Sequence, residues 1–161
     1  MNFSNKLIDW YNSNKRDLPW RRTKDPYKIW VSEIILQQTR IEQGEKYYHK
    51  FLNKYPNITS LSNTNNNELL KIWEGLGYYS RALNMLKTSE IVVNKYQGIF
   101  PSTYNELIGL PGIGDYTASA ISSICKNEIQ PVVDGNVLRF LSRLYKVDLA
   151  INSVKTKKYF K

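Results

Sequence analysis

Two carboxylates stand in surroundings that set them toward opposite protonation states. Glu33 shares a helical face with Ile29, Trp30, Leu36 and Gln37 at i−4, i−3, i+3 and i+4. A carboxyl among such side chains is desolvated, which raises its pKa and favours a proton-carrying acid. Asp134, in Val132-Val133-Asp134-Gly135-Asn136-Val137, sits just before a helix start, where helix N–H groups bond and favour the ionised form. One protonated and one ionised carboxyl is the pair that breaks glycosidic bonds through a cationic sugar. Each residue also has a plainer reading: Glu33 as an exposed or Lys-paired side chain, Asp134 as an N-cap alone. Their distance in sequence leaves open whether they meet.

A second constellation concerns anions. Leu110-Pro111-Gly112-Ile113-Gly114 follows a short helix over residues 104–108, with Ser102 or Thr103 as its cap, and precedes the helix-compatible run Tyr116-Thr117-Ala118-Ser119-Ala120-Ile121. Gly112 and Gly114 permit a tight turn that bares backbone N–H groups at the next helix start, a place suited to phosphate. This is the helix-hairpin-helix pattern, which grips a DNA backbone without reading sequence; an ordinary helical corner is the alternative. Gly75-Leu76-Gly77-Tyr78-Tyr79-Ser80-Arg81 reads as a glycine turn carrying an aromatic wedge at Tyr78 with Arg81 near phosphate, or as a helix C-cap followed by a core tyrosine. Gln37-Gln38-Thr39 offers amides able to bond exposed base edges.

Composition agrees with a polyanionic partner. Lys+Arg number 23 against 14 Asp+Glu, a net charge of +9 over 161 residues. The single histidine, His49, and single cysteine, Cys125, leave triad and zinc chemistries almost nothing to use. No signal peptide or membrane span is visible, so the chain reads as soluble and cytoplasmic. The elements that must position these residues are helical. Phe3, Leu7, Trp10 and Tyr11 mark an amphipathic opening helix that stops before Leu18-Pro19-Trp20. Further helices are expected over residues 26–43, 45–52, 67–73, 80–96, 116–125 and 136–145, with the Asn-rich residues 63–67 in a loop. Residues 130–133 are the only strand-like stretch. The expected class is all-α.

Taken together, Leu18-Pro19-Trp20, residues 31–39, residues 73–79, residues 110–118 and residues 133–139 occur in the order and approximate spacing of the A/G-specific, MutY-type adenine DNA glycosylases of the helix-hairpin-helix superfamily. The resemblance runs to about Val147. It implies a monofunctional base excision repair enzyme that flips adenine from a duplex where it opposes 8-oxoguanine or guanine, and cleaves its N-glycosidic bond. Glu33 then matches the general acid, Asp134 the carboxylate that stabilises or captures the sugar cation, and Asn136 a polar residue supporting it. Tyr116 matches the position where bifunctional relatives keep a Schiff-base lysine. Tyr78 and one of Gln37 and Gln38 resemble residues wedged beside the lesion base; Trp20 and Arg21 lie where the family lines its adenine pocket.

The resemblance also implies an architecture: a six-helix barrel over residues 23–129, and a second helical lobe of which residues 1–22 and 130–161 are a part. In this lobe one good helix and a basic tail, 155–161, leave apolar faces of Val137, Leu138, Leu141 and Leu144, with Phe3, Leu7 and Trp10, short of partners. The family's 4Fe-4S cysteines and C-terminal lesion-recognition domain would lie past Lys161, so the cluster belongs to the complete family enzyme and its ligands are absent from this chain. The chain is expected to be a fragment or decayed version of the enzyme, acting as a monomer on double-stranded DNA. Asp115, where many relatives have Arg or Lys, weakens phosphate attraction at the hairpin. The alternatives are a related glycosylase for another mismatched base, such as thymine opposite guanine, and a non-catalytic DNA-binding remnant.

Overall fold

The computed structural model describes residues 3–151 and 153–160. Met1 and Asn2 of the opening segment, and Lys161 of the basic tail, lie outside these residues. Among the described residues every regular element is helical: α1 (Phe3–Asn14), a 3-10 turn (Pro19–Arg21), α2 (Pro26–Ile35), α3 (Ile41–Lys54), α4 (Ile58–Ser62), α5 (Asn66–Trp73), α6 (Ser80–Tyr96), α7 (Tyr104–Leu107), α8 (Asp115–Lys126), α9 (Gly135–Tyr145) and α10 (Val154–Phe160). Residues 130–133 form no strand.

The helix starts follow side-chain chemistry. Asp25 caps α2, its Oδ1 accepting from the Tyr27 N–H at 2.9 Å, with Pro26 pre-set in the first turn. Asn57 and Ser60 form a reciprocal capping box on α4. The Asn-rich stretch is loop only in part, because Asn65 caps α5 and Asn66 and Asn67 supply its first turn. The larger correction concerns residues 26–43. They hold not one helix but all of α2, a turn with Gln38 at φ +56°, and the start of α3. Packing imposes that break: a Cβ on Gly44 would stand 2.6 Å from Leu36 Cδ2, so α3 turns back to lie directly over the end of α2.

The core is built around α2. Tyr27, Ile29, Trp30, Val31, Ile34 and Ile35 are all buried, and the Trp30 ring lies 4.8 Å from Phe100 and 6.0 Å from Tyr27. The 3-10 turn, α3 and α8 pack on α2, α5 joins α3, and α6 packs against α4 and α5. Phe51 on α3 meets Tyr55 and Trp73 edge-on, centring the α3–α5 contact.

The C-terminal residues hold more structure than the sequence suggests. The basic tail is helical as α10 and packs on α9, with Tyr145 and Phe160 rings 6.3 Å apart and Thr156 fully buried. Leu138 is buried, contrary to its expected loss of partners, whereas Leu144 remains exposed. On α1, Phe3, Leu7 and Trp10 are exposed, and Phe3 stacks 6.1 Å from Phe140 of α9. Trp30→Ala is therefore expected to cost roughly 3–5 kcal/mol in urea unfolding, the range for a large core truncation. Leu144→Ala should stay within about 0.5 kcal/mol.

Candidate active site

A cleft of about 450 Å³ opens between the 3-10 turn, the end of α2 and the start of α3, lined by Trp20, Arg21, Glu33, Leu36, Ile41 and Ile124 among others. Trp20 is buried and packs edge-on against Tyr48 at 5.4 Å, which fixes one apolar wall. Arg21 stands at the rim. Its guanidinium lies 5.5 Å over the Tyr11 ring and donates to the Arg16 carbonyl at 3.0 Å. Sequence reasoning missed Tyr11, Leu18, Ile41 and Ile124 as parts of this lining, because they come from four separate segments whose apolar patterning signals only packing.

Glu33 projects from the most buried helix into this cleft. Burial alone pushes its carboxyl up to about 7. The ion pairs among the described residues are Arg22–Asp17, Lys28–Asp25 and Lys54–Glu68, so no lysine pairs with Glu33. Asp134 is the N-cap of α9, its Oδ1 accepting from the Asn136 and Val137 N–H groups at 2.9 and 2.8 Å. Its Oδ2 accepts from the Asn136 side-chain amide at 3.2 Å, and Asn136 Oδ1 in turn accepts from Arg139. Asn136 thus orients the carboxylate oxygen that the cap leaves over. The hydroxyl of Tyr116, near the start of α8, is pushed up first by burial, then by the charges of Glu33 and Asp134. Asp134, Asn136 and Tyr116 are not among the residues lining the cleft that holds Glu33.

A second recess, about 140 Å³, gathers Gln37, Gln38, Tyr78, Ser80 and Arg81. Tyr78 is 62% exposed and so is not a core tyrosine. Arg81, expected near phosphate, is engaged with the protein's own backbone. Its guanidinium is half-buried and donates to carbonyls of the α2 end and the glycine turn, including Ile34 at 2.9 Å and Gln37 at 2.5 Å. Gln37 and Arg81 also border a recess of about 170 Å³ shared with Pro111 and Gly112 of the hairpin, which places the glutamine turn beside it.

The hairpin itself is seated by its own sequence. Leu110 and Ile113 are buried plugs, and the Thr88 hydroxyl on α6 donates to the Pro111 carbonyl at 2.9 Å. Gly112 has φ +74°, and a Cβ there would meet Asn84 Cβ at 2.9 Å, so the turn requires glycine. Gly114 is the N-cap of α8, with no side chain capping the helix and open space where a Cβ would stand. The Asp115 carboxylate accepts from the Tyr104 hydroxyl at 2.8 Å, joining α7 to α8.

An iron–sulfur cluster takes four thiolates. Cys125 is the chain's one cysteine, and burial pushes its thiol up to about 11. The residues present do not fit such a group.

The Glu33 environment has a measurable consequence. Its proton is held to about pH 7 in the fold, against an ordinary value of 4.5. The folded state binds the extra proton between those values, so its contribution is full below about 4.5 and is lost as pH rises through about 7. Glu33→Gln buries no charge, and at pH 8 it should exceed the parent in stability by up to about 3 kcal/mol, with the gap closing by pH 4. Urea unfolding at the two pH values checks this.

These features have counterparts in known proteins. The family described as HhH-GPD superfamily base excision DNA repair protein matches residues 31–161. The chain is 43% identical over 157 residues to the adenine DNA glycosylase of Buchnera aphidicola subsp. Acyrthosiphon pisum, covering 97% of this chain and 45% of that protein. It is 40% identical over 151 residues to the adenine DNA glycosylase of Homo sapiens, covering 88% and 28%. The chain thus spans less than half the length of these curated relatives. A thermostable thymine-DNA glycosylase superimposes with a TM-score of 0.85 at 30% identity, over 98% of this chain and 73% of that one. Endonuclease III in a non-covalent complex with DNA shares the fold, with a TM-score of 0.78 at 22% identity over 98% and 74% of the two chains. On its sequence match and its helical architecture, the chain belongs to the HhH-GPD superfamily of base excision DNA repair proteins.

Proposed function

We propose that the chain carries the catalytic machinery of a monofunctional adenine DNA glycosylase acting on adenine mispaired with 8-oxoguanine or guanine. The observation that carries this reading is a carboxyl kept protonated to about pH 7 by burial in the wall of a cleft with an aromatic side. In this reading residues 23–129 form the helical barrel, residues 1–22 and 130–161 contribute to a second lobe, and the protein works as a monomer on double-stranded DNA. The hairpin at Gly112 and Gly114 approaches a phosphate through backbone N–H groups. Tyr78 with one of Gln37 and Gln38 fills the space beside the lesion base while the adenine turns out of the stack.

The chemistry follows from the two acids. Glu33 donates its proton to the adenine ring as the bond between the sugar carbon and the base nitrogen breaks, the electron pair leaving with the base. The sugar becomes a cation, and the Asp134 carboxylate, steadied by Asn136, stabilises it by charge. Water then adds to the sugar carbon and its proton passes to Glu33, restoring the acid. Removal of thymine opposite guanine is a second reading, supported by the likeness to a thymine-DNA glycosylase. Duplexes carrying A·8-oxoguanine, A·G and T·G separate the two.

Glu33→Gln is expected to lower single-turnover adenine release by at least about a hundredfold while leaving duplex binding intact. Near-normal release by this variant removes Glu33 from the acid role. Asp134→Asn separates two roles of one residue. An asparagine caps a helix as well as an aspartate, so stability should stay within about 0.5 kcal/mol of the parent, while release falls roughly a hundredfold or more with the charge. Equal losses of stability and release would reduce Asp134 to a structural cap. At position 116 tyrosine has no amine, so borohydride should trap no adduct; Tyr116→Lys should trap some, since the residue shares the field of both acids. A trapped adduct on the parent chain at this segment contradicts monofunctional chemistry.

A further inference from the structure

Gln38 and Tyr78 share an uncommon backbone. Their φ angles are +56° and +46°, left-handed values that non-glycine residues adopt at a cost. The peptide carbonyl immediately before each of them, Gln37 O and Gly77 O, accepts from the same side chain. Arg81 Nη1 reaches Gln37 O at 2.5 Å, and Nη2 reaches Gly77 O at 3.3 Å, where it joins the Trp73 indole N–H at 3.0 Å. The same two nitrogens also donate to Ile34 O and Ile35 O at 2.9 and 3.3 Å and to Leu76 O at 3.2 Å, while the buried Nε has no partner. Three of these carbonyls close the C-terminal end of α2, where a cation also meets the negative end of the helix dipole. The guanidinium lies 5.3 Å from the Trp73 ring and 5.5 Å from the Tyr78 ring. From the other side, Gln43 Nε2 and Tyr47 Oη hold the Gly75 and Glu74 carbonyls at 3.3 and 2.5 Å. The glycine turn is thus clasped between α3 and Arg81.

We infer that Arg81 is a positioning residue: one guanidinium orients the two peptide units that hold Gln38 and Tyr78 in left-handed backbone, and so aims both side chains at the mismatched pair. A planar fork with donors on two nitrogens can serve two carbonyl groups at once. A lysine ammonium keeps the charge but not that geometry. The local half of this inference concerns the free protein alone, whereas the aiming half rests on the function proposed above.

Arg81→Lys in the full chain tests both halves. In the free protein, amide hydrogen exchange at Thr39 and Leu76, whose N–H groups close the two turns on Leu36 O and Trp73 O, should quicken together by at least about tenfold, with α8 unchanged. Unchanged exchange at the two amides, or a rise throughout the core, overturns the role. If Arg81→Lys does not fold, adding Gln38→Gly should restore folding, because glycine takes left-handed backbone without help. A double variant as unfolded as the single also overturns the role. With DNA, the preference of Arg81→Lys for an A·G duplex over a matched one should drop at least about tenfold relative to the parent. The dependence of log Kd on log salt for the matched duplex should keep its slope, since Arg81 neutralises no phosphate. A slope shallower by about one unit means a phosphate contact and overturns the inference. A parent protein without any mismatch preference overturns the proposed function and the aiming half, leaving the exchange result to decide the local half.

Discussion

α2 is buried along most of its length, and a carboxyl set among its packed side chains is poorly solvated. Trp30, Val31 and Ile35 are fully enclosed, and the 3-10 turn, α3 and α8 pack around them. The one carboxyl on this helix, Glu33, therefore keeps its proton far above the ordinary carboxylate range. The cleft opens beside the turn after α2, with Leu36 and Ile41 in its wall, so the helix that anchors the core also presents its acid at an opening. Fold stability and acid chemistry are coupled through a single helix.

The other functional surfaces depend on how α2 ends. Its last carbonyls are closed not by a local residue but by Arg81, which arrives from α6 and fixes the glutamine turn against the glycine turn. Gly112 of the hairpin is seated against Asn84, one turn further along α6. One long helix thus registers the wedge and the hairpin relative to each other. The second acid is held differently. Asp134 takes its direction from the start of α9 and from Asn136.

What was legible in the sequence was local. Caps and apolar spacing gave α6, α8 and α9 to within a residue or so, and the isolated carboxyl at Glu33 announced its own desolvation. What was not legible was imposed from a distance. Residues 36–40 have helix-compatible composition, and they turn because Gly44 lets α3 press on Leu36 and because Arg81, 44 positions after Gln37, bonds its carbonyl. The charge on Arg81 suggested phosphate, and only the fold reveals that carbonyls consume it. Likewise α10 was hidden by its lysines, since the contact that matters is Phe160 on Tyr145. Ile41 and Ile124 carried no sign of a cleft because an apolar residue in a wall looks like one in a core.

A titration of the Glu33 side-chain carboxyl, followed by its carbon-13 shift in the intact chain, tests the central claim most directly. A midpoint near pH 7 is expected, with the carboxyl protonated through the acid side of neutrality. A midpoint near 4.5, the ordinary value, would mean that water reaches Glu33 freely, and the buried acid on which the proposed chemistry depends would not exist.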